Sequence, residues 1–415
     1  MELLEVIAFL ITLCALFSYL NLRYLRLPAT IGVMVISFST SLLLIALDSM
    51  GVGLIVEATH AIRGLNFYET LMQWMLGFLL FAGALHVDVN ELTEERFAVA
   101  ILATLGVVAC TALVGGVGYL LFHAVGLNIP LLHCLLFGAL ISPTDPIAVL
   151  GILRQVDAPQ SLRMKMAGES LFNDGIGVVV FLVLLEIAVG GHDLSVTGVV
   201  WLFFLEAVGG VVYGLAIGYL AYVMLKSVDD YQVEVLITLA LVMGGYTLAR
   251  ALHTSGPLAM VVAGLMIGNH GRALAMSETT REHLDTFWEL LDVVLNVVLF
   301  VLIGFELLIL TLKAPYLAAG LLAVPTVLLA RFLSVGLPMS LLRVRRDAGP
   351  DPHAVKVLTW GGLRGGISVA LALSLPAGAG RDALVVVTYV VVAFSIIVQG
   401  LSFGPLLKRL YRSEA

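Results

Sequence analysis

Thirteen apolar runs constrain this chain more than any other feature of its sequence. Most are long enough to cross a bilayer, which takes about 20 apolar residues per helix. The 415 residues are 60% apolar and 12% charged, whereas soluble globular proteins carry about 25% charged residues. We therefore predict an all-α polytopic membrane protein of about 13 transmembrane helices, with no soluble domain. The predicted spans are residues 3–20, 29–47, 66–87, 97–123, 131–153, 164–188, 197–225, 232–252, 256–269, 285–311, 315–342, 354–376 and 382–407.

The loops between these runs predict the orientation of the chain. Sixteen Lys and Arg residues fall on one side of the spans, and only Arg63, Lys313 and Arg381 fall on the other. Because cytoplasmic loops carry the excess of positive residues, we expect the N-terminus outside and the C-terminus in the cytoplasm. The longest linkers, residues 48–65 and 269–284, have the composition of short interfacial segments.

The sixth span, residues 164–188, contains four polar side chains within two helical turns. On a helix, Ser170 and Asp174 share one face, while Glu169 and Asn173 share the adjacent face. A carboxylate in the bilayer centre costs a few kcal/mol, so ionisable residues there indicate a functional site by default. We interpret this segment as an ion site together with its scaffold.

Two other spans contain residues that interrupt a helix. The fifth span carries residues 142–146, with the sequence SPTDP, in which Pro143 and Pro146 each remove a backbone donor. The twelfth span carries residues 361–366, where four glycines surround Leu363 and Arg364. A helix interrupted at membrane depth is tolerated only inside protein or beside a water-filled cavity. Both segments are therefore predicted to be breaks that face inward.

The positions of the two breaks predict an inverted repeat. If the seventh span, residues 197–225, is a linker, then residues 3–188 and 232–407 each hold six spans in opposite orientation. The break lies in the fifth span of each unit. Paired interruptions in corresponding halves are typical of secondary transporters with a binding site near the bilayer midplane.

The polar residues of the fifth and sixth spans supply oxygen ligands. The carboxylates of Asp174 and Asp145, the Ser170 hydroxyl and the freed carbonyl of Thr144 suit a hard cation and not zinc or copper. A buried carboxylate gives up its proton when it takes a cation, so one group could exchange the two. For Asp145 the alternative is that it caps a half-helix. Neither a cofactor nor a nucleic-acid partner is expected.

The remaining ionisable residues of the spans are read as structural. We expect Glu169 to pair with Arg364, because an unpaired buried arginine is costly. Asn173 is expected to orient Glu169 by a hydrogen bond and also to contact the ion site, as a fifth residue of the cation- and proton-binding set. Arg250 and Arg331 are expected to tie helices together or to cap carbonyls. Five acids near span ends are assigned no transport role, namely Glu186, Glu206, Glu234, Asp292 and Glu306.

Three motifs resemble those of a known family. SPTDP, GESLFNDG and GGLRGGISVALALSLP occur in that order and resemble segments of the bacterial NhaP-type sodium/proton antiporters, within the cation:proton antiporter superfamily. Residues 255–269 and 295–307 are similar to further segments of the family. The resemblance implies a homodimer of 13-span chains in the bacterial inner membrane, in which a six-helix core with two broken, crossing helices moves against a dimerisation domain.

The same resemblance implies roles for individual residues. Asp174 would bind Na⁺ or H⁺, and Asp145, Ser170 and the Thr144 carbonyl would complete the shell. Glu169 and Arg364 would form a structural ion pair to which Asn173 is bonded. An Asn–Asp pair in this motif goes with electroneutral exchange of one cation for one proton.

One position departs from the family pattern. Many relatives carry an acid in the third span, in a stretch similar to Phe-Glu-Gly-Gly, whereas this chain has Phe81-Ala82-Gly83-Ala84. If that acid helps to hold the ion, the site here differs in affinity or selectivity.

The sequence leaves rival functions open. Exchange of Na⁺ or Li⁺ for H⁺ is the leading prediction, and a K⁺/H⁺ exchanger on the same scaffold is the nearest alternative. A cation channel is disfavoured by the paired breaks and by the lack of a repeated filter sequence. An enzyme is not expected, since the spans hold no HExxH, no serine with a positioned histidine and no paired cysteines.

Overall fold

The computed structural model describes residues 3–50, 69–156, 158–190, 196–343, 351–376, 378 and 380–411. Every one of the thirteen predicted spans coincides with helix in this part of the chain. Nine of these helical segments are long and apolar enough to cross a membrane. The other four are the third and ninth spans, which are shorter, and the fifth and twelfth, which are broken. The all-α membrane fold predicted from the apolar runs is confirmed.

The helices of the described residues are numbered here in chain order. They are α1 (Leu3–Leu20), α2 (Ala29–Ser49), α3 (Leu76–Leu85), α4 (Val89–Glu94), α5 (Arg96–Ala103), α6 (Leu105–Ala124), α7 (Leu131–Ile141), α8 (Ile147–Gln155), α9 (Gln160–Gly190), α10 (Val196–Lys226), α11 (Tyr231–Ala251), α12 (Gly256–Met266), α13 (Arg272–Leu274), α14 (Glu278–Glu306), α15 (Ala314–Arg343), α16 (Ala354–Trp360), α17 (Gly366–Leu373), α18 (Arg381–Phe394) and α19 (Gly400–Tyr411). Short π-helical turns extend α1, precede α3, follow α12 and join α18 to α19.

Some of the sequence predictions concern residues that the structure does not describe. The predicted interfacial linker 48–65 lies largely outside the described residues. Four of the arginines used to predict the orientation are also outside them, namely Arg63, Arg345, Arg346 and Arg412. The orientation and the division into two inverted six-helix units stay predictions.

Both predicted breaks are present, and they touch each other. Helix α7 ends at Ile141 and α8 begins at Ile147, so the two prolines lie in the non-helical segment between them. Helix α16 ends at Trp360 and α17 begins at Gly366. The backbone N–H of Asp145 donates to the carbonyl of Leu363 at 2.8 Å, which forms an isolated antiparallel bridge between the two breaks.

The π-helical turn Ser395–Gln399 satisfies backbone groups that the break in the twelfth span leaves free. The Ser395 hydroxyl accepts the N–H of Arg364 at 2.9 Å, and the Gln399 amide donates to the carbonyl of Trp360 at 2.9 Å. A backbone polar group without a partner in the hydrocarbon region costs several kcal/mol. The break is therefore stable because the thirteenth span supplies side-chain partners for it.

Helix α9 packs along the break in the fifth span. It contacts α5, α7 and α12, and Gly177 lies so close to the break that a Cβ there would be 2.6 Å from Cγ of Pro143. Real Cβ atoms do not approach a neighbour so closely, so glycine allows this contact. The packing brings the polar turn of α9 to the non-helical backbone between α7 and α8.

We predict that Gly365→Ala destabilises the contact between the breaks. A Cβ at this position would lie 2.7 Å from Oδ2 and 2.8 Å from Cβ of Asp145, and overpacking of this kind costs about 1–3 kcal/mol. The melting temperature of the purified protein in detergent should fall. The matched control is Gly116→Ala in α6, where a Cβ meets no atom within 4 Å. A Gly365→Ala protein as stable as the Gly116→Ala control would show that the breaks do not meet as described.

Candidate functional site

A cavity of about 630 Å³ lies where helix α9 meets the two breaks. Four predicted ligands line it, with Thr144 and Asp145 contributed by the break and Ser170 and Asp174 by α9. Ser170 and Thr144 are buried, while the two carboxylates are partly accessible. The fifth predicted residue, Asn173, is buried against the break. The sequence motifs thus converge on one cavity, although the nearest predicted ligands from different motifs, Asp145 and Ser170, are 25 residues apart along the chain.

Two side chains of α9 bind the freed backbone of Thr144. The Ser170 hydroxyl donates to the Thr144 carbonyl. The Asn173 side-chain oxygen accepts the Thr144 N–H at 3.2 Å, and its NH₂ group donates to the Thr144 hydroxyl at 2.8 Å. The prediction that Asn173 orients Glu169 is therefore wrong. The reason is that the opened backbone at Thr144 needs partners, and Asn173 offers both a donor and an acceptor.

The buried acid Glu169 pairs with Arg331 on α15. Two guanidinium nitrogens of Arg331 donate to the two carboxylate oxygens of Glu169, one of them at 2.8 Å, and Glu169 and Arg331 are only 1% and 6% exposed. Arg331 also donates to the carbonyl of Leu358 at 3.2 and 3.3 Å. This arginine ties α9 to α15 and α16, as predicted for a helix-tying residue.

The predicted ion pair between Glu169 and Arg364 is wrong. Nη1 of Arg364 donates to the carbonyls of Ser142 at 2.5 Å and Pro143 at 3.1 Å. These carbonyls are freed because the prolines of the break end helix α7. Arg364 therefore caps the free backbone carbonyls of the break, and Arg331 instead forms the bidentate ion pair with Glu169.

Asp174 faces the cavity without a described partner. Among the described residues, no group donates a hydrogen bond to its carboxylate and no basic side chain forms an ion pair with it. The surrounding oxygens come from Asp145, Ser170 and Thr144. Such a set can hold a proton on the carboxylate or a hard cation among the oxygens, and the two compete because both need the same lone pairs.

Helix α14 adds polar groups to the cavity that the sequence analysis missed. Glu289, Asp292 and Asn296 line it, whereas the sequence predicts a structural role for Asp292 near a span end. His86 and Ser368 line it from the third and twelfth spans. The spacing of 289, 292 and 296 places these residues on one face of a helix, and this spacing is the signal that could have identified them.

The position that departs from the family pattern also faces this cavity. Ala82 on α3 lines the cavity and is 1% exposed, so an acid there would reach it. His86 follows one turn later, with Nδ1 2.8 Å from the Ala82 carbonyl. The wall formed by α3 thus lacks the expected carboxylate, and α14 supplies Asp292 to the same cavity.

Comparison with known proteins gives consistent matches along the chain. The family model for "Sodium/hydrogen exchanger, transmembrane" matches residues 9–409. The Na⁺/H⁺ antiporter NhaP of Pseudomonas aeruginosa is 50% identical over 414 residues, which cover 99% of this chain and 98% of that protein. The Na⁺/H⁺ antiporter NhaH of Halobacillus dabanensis is 35% identical over 351 residues, which cover 83% of this chain and 84% of the relative.

One solved structure has the same fold. The sodium proton antiporter MjNhaP1 from Methanocaldococcus jannaschii matches with a TM-score of 0.75 over 99% of both chains. The sequence identity of 21% means that this similarity supports the fold and not the chemistry of the site.

We predict that the two buried arginines respond differently to removal of Glu169. Arg331→Met leaves Glu169 buried without its partner and should cost about 3–5 kcal/mol, whereas removing both charges should recover part of that loss. Melting temperatures of Arg331→Met and of the double variant Glu169→Gln/Arg331→Met test this.

The matched comparison is Arg364→Met with and without Glu169→Gln. Arg364 caps carbonyls, so Glu169→Gln should not restore stability to Arg364→Met. Rescue of Arg364→Met together with no rescue of Arg331→Met would contradict the described pairing.

Proposed function

Because this chain belongs to the sodium/hydrogen exchanger family, we propose that it exchanges Na⁺ or Li⁺ for H⁺ across the membrane at Asp174. The family expected from the three motifs is confirmed. The observation that carries the proposal is that the Asp174 side chain lines the same cavity as Thr144 and Asp145 of the break. A multi-pass membrane chain with a carboxylate in such a place fits transport of a cation and not covalent catalysis.

The proposed mechanism is competition for one carboxylate. Protonated Asp174 would release its proton as a cation enters the oxygens of Asp174, Asp145, Ser170 and Thr144. In the structure the Ser170 hydroxyl donates to the Thr144 carbonyl. These two oxygens are therefore already adjacent, and both can turn lone pairs towards the cation. Asn173 carries no charge and is occupied by Thr144. With Asp174 as the one group that gains and loses a proton, and Asp145 unchanged in charge, one cation would replace one proton and the exchange would be electroneutral.

The position of the cavity favours an inward-facing conformation. It extends from Asp174 to His86 at the end of α3, Gly151 in α8 and Glu289 in the first half of α14. In the orientation predicted from the excess of positive loop residues, these helix ends face the cytoplasm. We propose that the broken helices and α9 move relative to the rest of the molecule to open the site to the other side.

Lipid and a second copy of the chain are proposed to cover the apolar exterior. Helix α10 exposes large apolar side chains along its length, among them Trp201, Phe204, Leu215 and Leu220. Such a surface fits the hydrocarbon region of a bilayer. The homodimer implied by the family resemblance belongs to this proposal, as does location in a bacterial inner membrane.

We predict that Asp174→Asn abolishes cation-driven proton flux. Asparagine cannot take up or release the proton, whereas the fold should survive because no described hydrogen bond holds this carboxylate. The measurement is dequenching of a pH-sensitive dye in proteoliposomes after addition of Na⁺, Li⁺, K⁺ or choline. The control is Glu186→Gln, which removes an exposed acid of the same helix outside the cavity.

Wild-type and Glu186→Gln protein should respond to Na⁺ or Li⁺ but not to choline. A response to K⁺ alone would show that the protein is a K⁺/H⁺ exchanger and not a sodium/proton exchanger. Flux in Asp174→Asn equal to that of the wild type would contradict the proposed site.

We predict that Glu289→Cys is labelled from the cytoplasmic side. In inverted vesicles a membrane-impermeant maleimide should react with it, and in intact cells it should not. Asn128→Cys, an exposed position between α6 and α7, should show the reverse pattern. Background labelling should be low, because Cys14, Cys110 and Cys134 are buried. Labelling of Glu289→Cys in intact cells would contradict the orientation or the inward-facing conformation.

A further inference from the structure

Helix α14 places two oxygen-bearing side chains, Asp292 and Asn296, on a wall between two cavities. Both residues line the central cavity that contains Asp174. Both also line a second cavity of about 460 Å³, which lies between α14, α8 and the segment from Arg26 to Thr30. They therefore lie beside the space that an ion would cross between Asp174 and the ends of these helices.

The amide of Asn296 leaves a buried oxygen without a partner. Its NH₂ group donates to the backbone carbonyl of Asp292 at 2.8 Å and to the Asp292 carboxylate at 3.0 Å. Since both of these partners are acceptors, the assignment of oxygen and nitrogen in the amide is determined. Asn296 is 2% exposed, and no donor among the described residues reaches its side-chain oxygen. Buried acceptors normally have a partner, so this oxygen calls for one.

The carboxylate of Asp292 has no basic partner among the described residues. Its hydrogen bond from Asn296 uses one oxygen, and no described Lys, Arg or His forms an ion pair with it. One negative carboxylate and one neutral amide oxygen, held together by the NH₂ group between them, are the ligand types that hard cations prefer. A single negative charge matches a monovalent ion.

We propose that Asp292 and Asn296 form a second cation-binding station. This station would bind Na⁺ that enters from the cytoplasmic side, before the ion reaches Asp174. This inference rests on the proposed sodium/proton exchange and adds a residue pair that sets its affinity. The station also supplies negative charge to a cavity in which Ala82 on α3 stands at the position of the expected acid. The expected effect of losing it is weaker loading at low Na⁺ and an unchanged rate at saturating Na⁺.

Transport kinetics test the station, because its loss should raise the KM for Na⁺ and leave the maximal rate unchanged. In proteoliposomes, Asp292→Asn should raise the KM for Na⁺ on the order of tenfold, which is the effect of losing one charged contact. The maximal rate should stay within about twofold of the wild type, and Asp292→Glu should restore most of the affinity. Asn296→Ala should raise KM in the same direction, because it removes the second oxygen.

Glu289→Gln is the matched control, since it removes the same charge from the same cavity one turn away from Asp292. It should change KM by less than about twofold. An equal rise in KM for Glu289→Gln and Asp292→Asn would overturn the station. It would show that any negative charge in the cavity attracts Na⁺ and that Asp292 does not bind the ion specifically. An unchanged KM in Asp292→Asn would overturn it as well.

Equilibrium binding of radioactive Na⁺ to purified protein separates the station from the proposed exchange. Asp174→Asn should keep weak Na⁺ binding, and the double variant Asp174→Asn/Asp292→Asn should lose it. If both variants bind equally little while the wild type exchanges Na⁺ for H⁺, the exchange stands and the station is wrong, with water as the partner of Asn296. If Asp174→Asn binds Na⁺ through Asp292 while the wild type shows no exchange, the station stands and the exchange is wrong.

Discussion

The contact between the two helix breaks is the constraint on which the rest of the structure depends. Opening a helix within the membrane exposes backbone groups that lipid cannot satisfy, so each break must find partners inside the protein. The bond from the Asp145 N–H to the Leu363 carbonyl pairs one break with the other, and Arg364 covers the carbonyls of Ser142 and Pro143. This arrangement holds Asp145 at the cavity, and its geometry follows from backbone chemistry before any ion is considered.

The same constraint explains why the candidate site and its scaffold use neighbouring residues of α9. Ser170 and Asn173 both bind the opened backbone at Thr144, which sets the depth and rotation of the helix. Asp174 follows at once and is thereby directed to the cavity. On the adjacent face, Glu169 is tied to Arg331. A substitution in this turn should therefore affect stability and ion binding together, except at Asp174, which has no described structural partner.

The sequence predicted the parts that depend on local chemistry. Apolar length gave the helices, and the prolines around Thr144 and the glycines around Arg364 gave the breaks. It could not predict which arginine meets Glu169, because both Arg331 and Arg364 are buried and their distances from Glu169 depend on how α9, α15 and the break pack. Asp292 was missed for a similar reason, since position along an apolar run does not reveal which face of α14 borders a cavity.

The central claim is that Asp174 holds a proton or a cation but not both. Proton release from purified protein in weakly buffered detergent solution on addition of Na⁺ tests it most directly, because a carboxylate that takes a cation must give up its proton. The account predicts release of about one proton per chain in the wild type and none from the same site in Asp174→Asn. Binding of Na⁺ by the wild type without release of protons would contradict it.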